Sequence, residues 1–571
     1  MTSFGVDKLA IPKGFMSTFK IQGQLCHRIG SLLPDTGKQS KFLQIYFIGD
    51  DTDQCNVRCG NFSGLDKDIA MEIQTMLHSQ NHLVKHFRTA VEQHGHKPNF
   101  KVVMNSEKRP SGTHERQYNE PTADDVGAVI IETDNAAKRD IVQMRGGDPP
   151  LKKVDEKHIY YDALQYPLIF CRGQASYNIH VPKCERNTAT KRKMKNVTDK
   201  TTTDIEPKTK YVSSCDFYAY MLMTRKDRVN YLHLYRELFL QFVVDMYAKV
   251  ESEKLAYIRT HQTKLRAEKY VHLQDEIRQG TALADIGKKV ILPSSFVGGP
   301  RYMHQRTQDA MTYVTKFGRP DLFVTFTCNP KWDEIQSELH ADQKAHHRPD
   351  IVARVFNQKL KVMMSLLKEV KVFGELMCWL YTVEWQKRGL PHAHILLWMK
   401  EKIKPSEIDT IISAELPDKE IDPILLEVVK TQMVHGPCGS INRLSPCMVN
   451  DGKKCSKDYP RKFVANTQTG NDGYPTYRRR MPGDGGFETT IGTFPNEKVV
   501  DNRWIVPYSP LLCKIFKAHI NVEFCNSIKS IKYVCKYVNK GTDMAMVGLR
   551  NQNDETEIYQ QARYISSNEA V

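Results

Sequence analysis

Tyr381-Thr382-Val383-Glu384-Trp385-Gln386, Lys387-Arg388-Gly389-Leu390-Pro391 and His392-Ala393-His394-Ile395-Leu396-Leu397-Trp398-Met399 follow one another without a break. Two β-rich runs, 377–386 and 392–399, flank a turn that holds Gly389 and Pro391, so the spacing predicts a β-hairpin. Residues two apart in a strand share a face. His392 and His394 therefore project together, and Thr382, Glu384 and Gln386 share a face of the preceding strand. Two imidazoles with one carboxylate or amide oxygen form a mixed nitrogen and oxygen donor set. Such a set leaves positions for water and phosphate and suits Mg2+, Mn2+ or a related ion.

Working outward, Leu322-Phe323-Val324-Thr325-Phe326-Thr327 reads as a strand between Gly318/Pro320 and Asn329-Pro330. A helix is expected near 350–370, a further strand over 519–524 and a helix over 528–540. That order predicts an α+β core with a mainly antiparallel central sheet flanked by helices. Upstream, 228–278 is the clearest helical region: Tyr235, Phe239, Phe242, Met246 and Val250 form one apolar stripe with basic residues elsewhere. The runs 42–48 and 127–131 read as strands, and Tyr166-Pro167-Leu168-Ile169-Phe170 as a further apolar run. Between about 182 and 210 the chain turns to Lys, Thr, Asn and Arg, as a solvated linker does. Within it Lys191-Arg192-Lys193-Met194-Lys195 reads as a nuclear-import signal or as plain solvated charge.

Bulk properties set the class. The 571 residues suffice for several domains, and 40% hydrophobic with 26% charged residues is ordinary for a globular protein. Lys and Arg (82) exceed Asp and Glu (66), and a formal charge of +16 favours a polyanionic partner. No apolar stretch approaches the roughly 20 residues that span a bilayer, so no membrane partner is expected. The start has no basic region followed by an apolar core, and the 14 cysteines therefore read as reduced thiols or metal ligands.

The second chemical element is Ile531-Lys532-Tyr533-Val534-Cys535-Lys536-Tyr537-Val538-Asn539-Lys540. On a helix Tyr533 and Tyr537 share a face, and Lys536 and Lys540 each follow a tyrosine by three residues. A phenol titrates near pH ~10 in water and needs nearby positive charge or a metal to act as a nucleophile. The alternative is an amphipathic helix with two half-buried tyrosines. A metal hairpin and a tyrosine helix together are a toolkit for cutting DNA by transesterification: tyrosine attacks phosphorus and a 3′-hydroxyl leaves.

Along nearly its whole length the chain resembles the Rep part of Helitron rolling-circle transposases, of the HUH endonuclease class. The resemblance begins at Thr2-Ser3-Phe4-Gly5 and Ile21-Gln22-Gly23-Gln24 and continues through Tyr166-Pro167-Leu168. It is densest at Arg301-Tyr302-Met303-His304-Gln305, at 323–332 and at 384–394, and returns at 500–508 and 532–543. Histidines precede tyrosines, as in that family. The resemblance implies an HUH/Rep-type core with His392 and His394 as metal ligands and Tyr533 and Tyr537 as nucleophiles. Glu384 is then the favoured third ligand, with Gln386 on the same strand face as its rival. It also implies a nuclear, single-stranded-DNA endonuclease and strand transferase acting on transposon ends through a 5′-phosphotyrosine intermediate. In the family a helicase is normally fused. No G-x-x-x-x-G-K-[ST] loop is present here, so the chain is expected to be a truncated copy without its motor.

A further cluster, His435, Cys438, Cys447 and Cys455, offers three thiolates and an imidazole for a structural Zn2+, against free buried thiols. Just after it, Tyr477, Arg478, Arg479 and Arg480 combine an aromatic with three cations, the chemistry of a single-strand contact or of an exposed basic loop. Cys55 and Cys59, near Cys26-His27, are taken as ordinary cysteines. The resulting domain plan is a mixed α/β region over 1–125 and a Helitron-like accessory region with long helices over 126–300. The nuclease core occupies 301–430 and 491–571, interrupted over 431–490 by a Cys/His-rich insert and basic loop. The competing readings are a DNA-binding transposon remnant that no longer cuts and a zinc-organised interaction module.

Overall fold

A computed structural model describes residues 3–4, 19–23, 25–34, 37–62, 64–94, 101–104, 128–130, 141–144, 152–183, 210–262, 290–385, 390–436, 438–439, 442–443, 445, 447–449, 454–469, 475–492, 497–525 and 554–571. The chain divides into two compact units, Met1–Lys8 with Ile21–Lys254, and Leu9–Lys20 with Leu255–Val571. Helices and antiparallel sheets are mixed throughout.

In the first unit, helices Asp51–Asn61 and Lys67–Gln80 start at Asp50 and Asp66, whose carboxylates accept from the first free backbone N–H groups. The expected strand over 42–48 is instead a 3-10 helix, Phe42–Phe47. Its buried residues, Leu43, Ile45 and Tyr46, break the alternation that a strand needs. Ala128–Ile130 is a strand, paired antiparallel with Lys101–Met104. The helical region also differs from its one-stripe reading. Tyr235 ends a 3-10 turn, Arg236 has φ 47, and only then does the helix Glu237–Thr260 begin. Phe239, Phe242, Met246 and Val250 are buried, but so are Asp245 and Lys249 from faces expected to be solvated. Their charges are matched internally: Asp245 lies 2.7 Å from His27 Nε2 and accepts from the Tyr166 hydroxyl. Lys249 sits 3.5 Å from Asp162 and donates to the Tyr218 hydroxyl. A buried charge is tolerated on those terms.

The second unit is built on four strands, β1 (Leu322–Thr327), β2 (Leu376–Trp385), β3 (Pro391–Met399) and β4 (Ile520–Phe524), in the order β4-β1-β3-β2. Every neighbouring pair is antiparallel. The helix α1 (Pro349–Lys368) opens on Pro349, and the buried Arg348 guanidinium grips the Asp350 carboxylate with two hydrogen bonds. One sheet face is apolar: Val324, Phe326, Ala393, Ile395, Leu397, Ile520 and Val522 pack with Phe356, Leu360, Met363 and Leu367 of α1. The opposite face changes character along the strands. At one end Phe323, Leu396 and Trp398 pack with Ala310, Val314 and Phe317 of the helix Pro300–Phe317. At the other end the same parity carries histidine, threonine and glutamate.

Candidate functional site

Directly opposed residues of an antiparallel pair lie on one face, so the register assembles the polar end of the sheet row by row. Glu384 opposes His392, which opposes Thr327. In the next row Thr382 opposes His394, which opposes Thr325, which opposes Asn521. The expected hairpin is present, and it brings Glu384 to the two histidines: Glu384 Oε2 is 3.3 Å from His394 Nε2. The imidazole rings of His392 and His394 are nearly parallel, with centroids 6.4 Å apart.

Both rings are held from β1. Thr327 Oγ1 lies 2.7 Å from His392 Nδ1, and Thr325 Oγ1 lies 3.3 Å from His394 Nδ1. A metal on Nε2 requires Nδ1 to carry the proton, and a threonine hydroxyl beside Nδ1 accepts it. Each threonine hydroxyl can accept from or donate to the Nδ1 it faces, so the pair holds the rings in either tautomer, including the one an ion on Nε2 would need. Thr382 Oγ1 and Asn521 Oδ1, which flank the second row, are buried with no hydrogen-bond partner among the described residues. Buried polar atoms of that kind mark a place where a further polar group is accommodated. The donor chemistry and these orphaned oxygens fit a hard divalent ion. His392, His394 and Glu384 do not, however, bring their donor atoms within 4.8 Å of one another, as a tighter cluster below does.

Sequence reasoning missed Thr325 and Thr327, although their signal was visible: two hydroxyls two residues apart on a strand predicted to lie in the same sheet. Gln386, Tyr533, Lys536, Tyr537 and Lys540 lie outside the described residues.

The tighter cluster is His435, Cys438, Cys447 and Cys455, whose ligand atoms all lie within 4.8 Å of one another. It is a Cys/His group able to hold a metal ion such as Zn2+. Burial and the neighbouring thiols push the Cys438 thiol up to about 12. For Cys455 burial acts upward, but the backbone N–H groups of Tyr459 and Lys457 together with hydrogen bonds from the Cys438 and Cys447 thiols outweigh it, and the thiol is lowered. Burial, and then Lys457 and Arg461, lower His435.

The basic stretch expected to touch a single strand is built into the fold instead. Tyr477 is buried, and its hydroxyl accepts the Phe524 backbone N–H at the end of β4. Arg479 is buried and donates to the carbonyls of Ala414, Asn502 and Ile505. Arg478 and Arg480 remain partly exposed, but both clasp Glu415. A ring enclosed in the core offers no stacking face to a base.

Residues 217–397 match the family described as the Helitron helicase-like domain at the N-terminus. The matched stretch contains β1, β2 and most of β3, and with them Thr325, Thr327, Glu384, His392 and His394. It stops short of the Cys/His cluster. No curated protein matches the chain.

Proposed function

From the premise that this is a Helitron-related protein, which points to a nucleic-acid-acting enzyme, we propose that it is an HUH-type, metal-dependent single-stranded-DNA endonuclease and strand transferase. The observation that carries the reading is the pair of histidines on one sheet face, each with Nδ1 against a threonine hydroxyl and with Glu384 on the neighbouring strand. His392, His394 and Glu384 would hold Mg2+ or Mn2+, which when bound polarises a scissile phosphate. The chain's own residues supply the rest. Thr325 and Thr327 orient the imidazoles, and the sheet fixes both on one rigid face. Tyr533 or Tyr537 attacks phosphorus, the phosphorus–oxygen bond to the 3′-oxygen breaks, and that oxygen departs as a hydroxyl after taking up a proton. The new bond is a 5′-phosphotyrosine, and because one ester replaces another the step reverses without ATP. Lys536 and Lys540 each follow a tyrosine by three residues in the sequence, and on a helix they would lower the cost of the phenolate. In this reading the partners are transposon-end single strands in the nucleus and a helicase that unwinds them.

The test is incubation of the chain with labelled single-stranded DNA and Mg2+ or Mn2+, resolved on a denaturing gel. A covalent protein–DNA adduct is expected, and it should disappear in Tyr533→Phe/Tyr537→Phe. DNA binding with no adduct in either metal, across varied sequences, would replace the nuclease by a DNA-binding remnant.

A further inference from the structure

The Cys/His cluster shares no residue with the histidine row and has no part in the proposed cleavage. Its four ligand atoms come from three separate pieces of backbone. His435 follows a π-helical turn, Val429–Met433. Cys438 follows Gly436, Cys447 directly precedes the strand Met448–Val449, and Cys455 lies in its antiparallel partner, where it pairs with Met448. Gly436 is required for the first approach. Its φ is +94, and a Cβ there would sit 2.7 Å from the Cys438 backbone nitrogen. His435 Nε2 is 3.4 Å from Cys455 Sγ. A tetrahedral zinc with Zn–S of about 2.3 Å and Zn–N of about 2.0 Å puts neighbouring ligand atoms about 3.5–3.8 Å apart. The spacing therefore fits one ion at the centre.

The surroundings are those of a thiolate site. The Lys457 backbone N–H donates to Cys455 Sγ at 3.3 Å, and the Ser456 N–H donates to the Cys447 carbonyl. The His435 ring stacks on Tyr459 with centroids 4.1 Å apart, which fixes its plane. Cys438 and Cys455 pack with Val500 and Trp504, a dry shell of the kind that closes a structural site to solvent.

We propose that His435, Cys438, Cys447 and Cys455 bind one Zn2+ as a closed structural site that pins this insert to the core. Binding ionises three thiols and releases their protons, while the imidazole ligates as the neutral base. The apolar cluster around the thiols is small, so an ion would add substantially to what holds the insert. The anchored segment also reaches the sheet. His519, just before β4, donates from Nδ1 to the Gln432 carbonyl at 2.7 Å, and the Thr327 backbone N–H donates to the His519 carbonyl at 3.0 Å.

The test uses the full chain, purified without added metal and analysed for bound metals by mass spectrometry, with no DNA present. About one zinc per chain is expected, and it should be released stoichiometrically by a mercurial that blocks thiols. Cys438→Ala and Cys455→Ser should lose the ion, whereas His392→Ala/His394→Ala should keep it. Should the cysteine variants fail to fold, the wild-type chain still decides: reconstitution with Co2+ after zinc removal must give the thiolate charge-transfer and tetrahedral ligand-field bands. Wild-type protein with no zinc, with iron in its place, or with zinc lost only in the histidine variant would overturn the assignment. Because the readout involves neither DNA nor cleavage, failure of the nuclease reading leaves this result intact, and the reverse.

Discussion

Thr327→Val is the sharpest perturbation of the histidine row, because it keeps the branched shape that suits a strand and deletes one hydroxyl. In the wild type that hydroxyl lies 2.7 Å from His392 Nδ1, and both side chains are nearly inaccessible to solvent. Valine leaves a buried ring nitrogen without this partner, at a cost of about 1–3 kcal/mol. The cost should fall mainly on the metal-bound state, since an ion on Nε2 makes Nδ1–H a stronger donor and locks the tautomer. Losing such a partner weakens metal binding by about 10–100-fold, equivalent to about 1.4–2.7 kcal/mol. Thr325→Val removes the longer contact, 3.3 Å to His394, and should cost less. The assay is a Mn2+ titration followed by electron paramagnetic resonance of the free ion, with the cleavage midpoint as a second readout. An unchanged Mn2+ midpoint in Thr327→Val, or a larger shift in Thr325→Val, would refute the reasoning.

Glu384→Ala should raise the Mn2+ midpoint by at least about tenfold, because the carboxylate faces His394 at 3.3 Å; a midpoint like that of the wild type would move the oxygen ligand to Gln386. Glu415 gives the fold a pH dependence. Burial acts to raise its carboxyl, but hydrogen bonds from the Arg480 side chain and backbone, together with the charges of Arg480 and Arg478, outweigh burial and hold it below the usual carboxylate value. A lowered folded value means that the stabilisation is complete above the unfolded value, near ~4.3, and is lost as pH falls through the folded one. Glu415→Gln should therefore melt earlier than wild type at neutral pH, with the gap closing in acid; a gap independent of pH would remove Glu415 as its source.

The core was legible where hydrophobic pattern and turn chemistry agreed. The expected strand over 322–327 has the observed limits of β1, and the expected hairpin differs from β2 and β3 by a residue at its ends. The antiparallel register of β2 on β3 fixed which side chains oppose His392 and His394. The 3-10 helix Phe42–Phe47 was not legible, because a short apolar run fits either period and only tertiary burial of Leu43 and Tyr46 decides. Nor could sequence locate the partner of the triple arginine. Glu415 is remote along the chain, and the carbonyls that occupy Arg479 belong to Ala414, Asn502 and Ile505. A basic run announces charge, but whether it faces solvent or a buried acid is settled by long-range packing.

The same physics explains why a polar site sits on this sheet at all. β3 is buried along nearly its whole length, so both of its faces need partners. The apolar face and the Phe323–Leu396–Trp398 end of the other face obtain them from α1 and from the helix Pro300–Phe317. At the remaining end the strand parity delivers imidazoles, which cannot be buried without hydrogen bonds. Threonine on β1 meets this need with minimal bulk, while its branched side chain suits a strand. An alanine there would orphan Nδ1, and a carboxylate would bring a second charge into a confined space. Two threonines meet the Nδ1 atoms of both rings, and His394 Nε2 faces Glu384. A row of hydroxyls behind a row of imidazoles is thus how a sheet can bury two imidazoles at the polar end of an otherwise apolar strand.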